Sequence, residues 1–510
     1  MNALSLRALA GLPPAVVRPA FDPSRTTVGI LHLGLGAFHR AHQAVYTDDV
    51  LARDPRWGIC GVSLKTPRAI EPLVAQDGLY TVLTKGSEGT TARVIGSVRE
   101  ALFAGADRDG LIARFADPRI AVVTATVTEK GYCHDPATGA LNLAHPDIVH
   151  DMAHPDAPVS AVGILVAGLA ARRLAAAGPL TFVCCDNLPH NGRMVEGLVA
   201  EFARGRDPAL AEWIRSNVAF PSSMVDRIVP ATTDADIAEA GRLLGVHDAA
   251  PVAAEAFGQW VIEDRFATAR PAWEDAGAQF VANVAPFETM KLRLLNGSHS
   301  TLAYLGFLMR HDFVWQAAGD TLLAQLIERQ MSEEIAPTLE MPAGTDVAAY
   351  CRQLMQRFRN AALPHRTQQI AMDGSQKLPQ RLLGTVRDRI AAGASYAHLA
   401  LAVAGWIRYA SGTDEQGATI DVADPLVATF ARIVRDARGD AGPVADGFLD
   451  LKQVFGADLV AHYAFREAVR GNVIALFRDG VRVTLDRHLR VACPRRTPQH
   501  SFQESTWPFR

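Results

Sequence analysis

Regular patterning begins with an apolar run, TVGILHLGLG at residues 27–36, which ends in glycines and gives way to the helix-compatible FHRAHQAVYTDDVLA. An unbroken apolar run closed by glycine and followed by a helical period reads as strand, tight turn, helix. Strand-like runs recur as WGICGVSL (57–64), YTVLTKG (80–86), RVIGSV (93–98), IAVVTATVTE (120–129) and LTFVCCDN (180–187). Helical stretches such as 159–177 fall between some of them. This alternation predicts an α/β domain with a mostly parallel sheet covered by helices. Beyond residue 285 the period changes, and long helical segments take over at 286–311, 316–335, 345–360, 395–411, 424–437 and 456–478. The expected organisation is therefore an α/β domain over 1–284 and a mostly α-helical domain over 285–510. A chain of 510 residues exceeds what a single core organises, so two domains are the natural division.

The helix opening the second part carries an unusual set of side chains. Without Lys291, Asn296 and His299, KLRLLNGSHSTLAYLG (291–306) would pass as an ordinary buried helix. On an α-helix the three lie at about 0°, 140° and 80°, so they share one side. An uninterrupted helix separates Lys291 from His299 by roughly 12 Å along its axis. They would then address two parts of an extended molecule rather than one atom. A lysine on such a face either snorkels to water or faces a cavity where burial lowers its pKa.

Composition narrows the partners. Hydrophobic residues make up 49% and charged residues 21%, with a net charge of −3. That balance has no basic excess for nucleic acid. The longest apolar run, near 162–171, is too short to span a bilayer. The start of the chain has no sustained apolar core, so no signal peptide is expected. Six cysteines in so long a chain point to reduced thiols and a cytoplasmic location. Only Cys184 and Cys185 are close, and adjacency is not metal-ligand spacing, so no metal is expected.

In HLGLGAFHRAH, Gly34 and Gly36 have the spacing of a dinucleotide-binding turn, with Ala37 and Phe38 opening the helix behind it. The first glycine makes the tight turn and the second lets the backbone approach a pyrophosphate. His39 stands where the third glycine would be. The second strand ends in Leu64, Lys65, Thr66, Pro67 and Arg68, without the acid that holds the ribose hydroxyls of NAD. Lys65 and Arg68 either meet a 2′-phosphate or are solvated loop charges. Asp186, Asn187, His190 and Asn191 follow a later strand; they face a ligand at the sheet's carboxyl edge or serve as turn residues. Glu129 and Lys130, in TATVTEKGYC, are open to the same two readings. None of the eight tyrosines has a lysine four residues on, which removes the short-chain dehydrogenase arrangement. Lys291 is left as the base for a dehydrogenase, because an amine tuned downward by burial accepts an alcohol proton.

The stretches GLGAFHRAHQAVY, TVTEKGYC, CDNLPHNG, FPSSMVDRIVP, FGQWVIEDRF, KLRLLNGSHSTLAYLG and AMDGSQKLPQR together resemble the mannitol dehydrogenase family, the long-chain polyol dehydrogenases. They cover nearly the whole chain in order. The resemblance implies a Rossmann-type domain, a helical C-terminal domain, a nicotinamide coenzyme (NAD, with NADP open) and no metal. Lys291 matches the general base, Asn187 and Asn296 the paired oxyanion-hole amides, and His299 a residue that bonds the substrate and orients the lysine. Asp226 and Lys377 match positions lining the polyol site. Gln369 departs from the arginine of the mannitol enzymes. The segment HRTQQIAMDGSQKLPQRLL is more similar to fructuronate reductases (D-mannonate oxidoreductases), whose substrates carry a carboxylate. Arg293, Arg366, Lys377 and Arg381 are the candidates to meet it. The substrate expected is D-mannonate or D-fructuronate, with mannitol and fructose next and arabinitol third. A catalytically silent dinucleotide sensor is the reading from another class. A small molecule is the expected partner, bound by a monomer or small homo-oligomer.

Overall fold

Residues 2–135 and 138–491 are described in the computed structural model. Twelve strands are assigned among them: β1 Val28–Leu33, β2 Gly58–Ser63, β3 Tyr80–Gly86, β4 Gly89–Ile95, β5 Val98–Phe103, β6 Val122–Ala125, β7 Leu180–Cys184, β8 Val218–Ala219, β9 Ser223–Asp226, β10 Val252–Ala254, β11 Gln259–Glu263 and β12 Gln279–Val281. Six form one sheet in the order β5-β2-β1-β6-β7-β8, with every neighbouring pair parallel. Leu31 of β1 sits opposite Cys60 on one side and Val123 on the other. All six residues of β1 are buried, as a strand covered on both faces requires. Val28, Leu31 and Leu33 join the core on one face, while Ile30 joins that on the other. This is the Rossmann-type arrangement, and the strand order reverses at β1 and β6. Ligands of such sheets bind at the carboxyl ends of the strands on either side of that point.

Two smaller sheets were not separated from the main one by the sequence pattern. β3 and β4 pair antiparallel, with β10 parallel to β3, and β9 and β12 flank β11. Alternation reports a strand but not its partner, so YTVLTKG and RVIGSV looked equivalent to the central strands.

The chain divides into two compact units. The first comprises the chain up to Lys291 together with Glu340–Thr345 and Asn360–Pro364; the second takes Leu292–Leu339, Asp346–Arg359 and the chain from His365 onward. The second unit is helical. Its central helix, Ala397–Ala410, is buried from His398 to Ala410, and Ser298–Leu308 and Tyr463–Val491 pack on it. The segment 286–311 is not one α-helix. Ala285–Met290 is α-helical, Lys291–Gly297 is a π-turn, and Ser298–Leu308 resumes the α-helix. Within the second unit, a Cβ on Gly297 would lie 2.7 Å from the Arg381 carbonyl, so only glycine permits that approach.

One buried cation anchors the β7 side of the sheet. Arg172, near the end of the helix Ala161–Leu174, is 1% exposed. Its guanidinium donates to the carbonyls of Gly178 (2.7 Å), Phe115 (2.9 Å), Asp117 (3.2 Å), Ala177 (2.9 Å) and Pro179 (2.9 Å). The loop leading into β7 is therefore shaped around one side chain. Arg172→Met leaves those buried carbonyls without a donor, and we expect a stability loss of about 2–4 kcal/mol in thermal or denaturant unfolding. A melting curve superimposable on that of the wild type would show the loop to be held by other contacts.

Candidate active site

At the carboxyl end of β1, Gly34 has φ +99°, and a Cβ there would collide with the carbonyl of Thr126, just past β6. Glycine is thus required twice, by the turn and by the neighbouring backbone. The N–H groups of Gly34 (2.8 Å) and Leu35 (3.0 Å) donate to Val62 O, fixing the turn to β2. Gly36 is exposed, and the only atom near a Cβ placed on it is Gly34 O at 3.8 Å, so there is room for a ligand to approach. Ala37 and Phe38 open the short helix Ala37–Ala41. These features fit the close pyrophosphate approach that the glycine spacing implied.

His39, in the place of the third glycine, is fully buried, and its ring stacks on His32 with centroids 3.3 Å apart. His32 bonds the Thr124 hydroxyl through Nδ1 (2.7 Å) and meets the Gly34 carbonyl through Nε2 (3.0 Å). Burial lowers the pKa of His32 and of His42 to about 3, and that of His39 well below its ordinary value. The three imidazoles are neutral and act as packing and hydrogen-bonding groups. At the end of β2, Ser63 Oγ donates to Thr66 O (2.5 Å), while Lys65 and Arg68 are exposed.

The first unit brings together residues far apart in sequence at the end of β7. Lys291, 8% exposed, donates from Nζ to Asn187 Oδ1 (2.6 Å) and to the Val225 carbonyl (2.6 Å). Because Asn187 accepts through its oxygen, its amide N–H₂ is directed to other partners. Asp226, next to Val225 in β9, is also buried. Asp186 accepts from the N–H groups of Val127 (3.0 Å) and Thr128 (2.9 Å) and from the Tyr132 hydroxyl (2.8 Å). It thereby holds Thr128 at φ +70°, a costly backbone state for a β-branched residue. Glu129 and Lys130 follow immediately and are exposed.

Glu288 was not singled out from the sequence, although it lies three positions before Lys291 on the helical path. Its Oε2 accepts from the His190 N–H at 3.4 Å, and burial raises its pKa. Lys291 also acts on it electrostatically, in the opposite sense. A carboxyl that holds a proton more tightly than usual thus lies within the field of a buried amine.

In the second unit, His299 is 9% exposed, stacked on Phe358 (centroids 5.3 Å apart) and edge-on to His365 (5.0 Å). Burial holds its pKa well below the ordinary value, and His365, Arg381, Arg357 and Lys377 push in the same direction. Arg381 donates to Ser300 Oγ (3.1 Å), and Lys377 donates to the Met372 carbonyl (2.5 Å). The other two cationic candidates have different surroundings. Arg293 donates to Asp388 (2.5 Å) and Thr338 Oγ1 (2.9 Å), whereas Arg366 is exposed over the Phe313 ring, 5.2 Å from its centroid. Asn296 is half-buried in the π-turn, and Gln369 is exposed.

One further cluster has the composition of a metal site. The potential ligand atoms of Cys133, His145 and Asp147 lie within 4.8 Å of one another. However, His145 Nδ1 already accepts the Asp147 N–H (3.2 Å), and burial raises the Cys133 thiol to about 11. A protonated thiol is a poor ligand. Among the described residues no helix is long and apolar enough to cross a membrane.

The chain matches the mannitol dehydrogenase Rossmann domain over residues 28–275 and the mannitol dehydrogenase C-terminal domain over 283–477. It is 48% identical over 472 residues to a D-mannonate oxidoreductase of Escherichia coli (strain K12), covering 92% of this chain and 97% of that relative. Among solved structures it is similar to Pseudomonas fluorescens mannitol 2-dehydrogenase in a ternary complex with NAD and D-mannitol. That match has a TM-score of 0.84 and 37% identity, covering 96% of this chain and 99% of the other. A D-sorbitol dehydrogenase in substrate-free form matches with a TM-score of 0.88 and 32% identity, covering 95% and 100%. The two matches together span most of the chain, which belongs to the mannitol dehydrogenase family of oxidoreductases.

Proposed function

We propose that the protein interconverts a secondary alcohol and a ketone on a linear sugar acid, with D-mannonate and D-fructuronate as the favoured pair and NAD as the coenzyme. The observation that carries this reading is the buried Lys291 amine, which donates to the Asn187 side-chain oxygen and the Val225 carbonyl. In the oxidation direction Lys291, as the neutral amine, takes the hydroxyl proton. A nicotinamide coenzyme held at the Gly34–Gly36 turn would supply the acceptor for the hydride. The amide N–H₂ of Asn187 donates to the developing alkoxide, its orientation set by the bond that its oxygen accepts. Asn296 supplies a second amide. His299, a neutral imidazole, bonds a substrate hydroxyl, and Asp226 and Lys377 hold the rest of the chain.

For the carboxylate of the substrate we favour Arg381. Arg293 is paired with Asp388 and Arg366 lies over Phe313, while Arg381 donates to Ser300, next to His299 in sequence, and belongs with Arg357 and Lys377 to the cations around His299. The relative named D-mannonate oxidoreductase is more similar to this chain than the one named mannitol 2-dehydrogenase, which supports a sugar acid over mannitol.

Lys291→Met is expected to bind NADH as the wild type does, by fluorescence titration, while turnover drops by about 10²–10⁴-fold, the usual range for a lost general base. Near-normal turnover would remove Lys291 from the mechanism. The pH profile follows from the same assignment. Oxidation needs the neutral amine, so its kcat/KM should rise with pH through an apparent pKa below the ~10.4 of a free lysine, and reduction should fall over the same interval. A flat oxidation profile would contradict a lysine base. For substrate choice, Arg381→Met should depress kcat/KM for mannonate or fructuronate far more than for mannitol or fructose, by about 2–5 kcal/mol, the range for breaking a buried charge pair. Equal losses on acid and neutral substrates would mean that Arg381 shapes the site without meeting a carboxylate.

A further inference from the structure

Two acceptors of Lys291, Asn187 and Val225, stand on backbones that belong to different sheets. Asn187 follows β7 of the six-stranded sheet, and Val225 lies in β9 of a three-stranded one. Asn191, fully buried as the first residue of the helix Asn191–Arg206, bridges them. The two N–H groups of its Nδ2 are shared among the carbonyls of Cys184 (3.1 Å), Asp186 (3.0 Å) and Ser223 (2.7 Å), and its Oδ1 accepts the Ser223 N–H (2.9 Å). Asp186 directly precedes Asn187, and Ser223 is two residues before Val225 in the same strand. A second strap runs beside it, the Ser223 hydroxyl donating to Cys184 O at 2.6 Å. The helix start is pressed onto the same place: a Cβ on Gly192 would collide with the backbone of Phe220 and Pro221, and His190 before it takes φ +48°.

We infer that Asn191, seconded by Ser223, is a positioning residue that sets the hydrogen-bonding frame of Lys291 by locking Asn187 and Val225 into one register. An ordinary buried asparagine satisfies the loose ends of its own helix. This one has no bond to its own helix among its four; all go to the two backbones that carry the lysine's acceptors. Both of these acceptors favour the ammonium over the amine. Loosening the frame therefore weakens the protonated form, and the lysine titrates at lower pH. Glu288 on the preceding helix and His42 at the head of Gln43–Val50 are within the electrostatic reach of Lys291, and Asp226 adjoins Val225.

The inference rests on Lys291 as the base, and the Lys291→Met comparison separates the two claims. If that variant keeps its turnover, the base assignment fails; if it loses turnover while the variants below behave as wild type, only the positioning role fails. The test compares Asn191→Ser and Ser223→Ala with Val199→Ala, a truncation in the core of the same helix. Asn191→Ser should lower kcat for alcohol oxidation by about 10–100-fold and move its apparent pKa down by about half a unit or more, with the Kd for NADH held within about threefold. Ser223→Ala should shift both quantities in the same direction by less. Val199→Ala should lower Tm and leave both unchanged. The pKa displacement should persist in the Glu288→Gln background; its disappearance there would assign the titration to Glu288 and overturn the inference. A wild-type pH profile and kcat in Asn191→Ser, at a Tm loss matching Val199→Ala, would reduce Asn191 to a structural residue. Should Asn191→Ser not fold, Ser223→Ala decides the matter, and an unchanged profile there would equally overturn it.

Discussion

A buried ammonium cannot be left without acceptors, and much of the first unit follows from meeting that condition at Lys291. An unpaired charge in a protein interior costs many kcal/mol or is lost by deprotonation. Among the partners of Lys291 are two neutral oxygens, Asn187 Oδ1 and the Val225 carbonyl. Both oxygens fix the direction in which the amine points. The same bonds also fix the rotamer of Asn187, so one pair of contacts arranges both a proton acceptor and an amide donor.

The other fixed point is the crossing of β1 and β6. Gly34 has a positive φ and lies against the Thr126 carbonyl, so its place admits no side chain. Its own carbonyl is met by the Thr126 hydroxyl (2.9 Å) and His32 Nε2 (3.0 Å). The missing third glycine is then intelligible. That glycine serves close helix–strand packing, and here a flat imidazole, His39, fills the gap by stacking on another flat imidazole from β1. Both rings are held neutral by burial, so the stack brings no charge beneath the turn.

Much of this was legible in the sequence, and the parts that were not share a cause. Strand–turn–helix at 27–50 and the helical texture past 285 come from local periodicity, and the structure reproduces them. The π-turn at Lys291–Gly297 escaped, because apolar spacing of three and four looks the same whether or not one residue is inserted into the helix. The close approach of the Arg381 carbonyl to Gly297, 84 positions away, leaves no local trace. Arg293 stood as a free cation in the sequence, whereas Asp388, 95 positions on, occupies its guanidinium. Glu288 carried a usable signal, a carboxyl three residues before a lysine on a helix. Its importance depends on burial, which a single sequence does not report. Asn191 was visible as a polar residue in a loop-forming stretch, but the reason for it lies in Ser223, 32 positions later.

The charge around His299 bears on what the second unit is built to hold. Arg381, Arg357 and Lys377 all disfavour the imidazolium, as does the neighbouring His365. Their effect is to keep a positive field around a neutral ring. A neutral imidazole both donates and accepts, which suits a sugar hydroxyl. Cations do matter to a substrate with a carboxylate: they raise its local concentration and supply a partner when water is excluded. The cations around His299 thus favour an anionic ligand electrostatically while leaving the ring itself neutral.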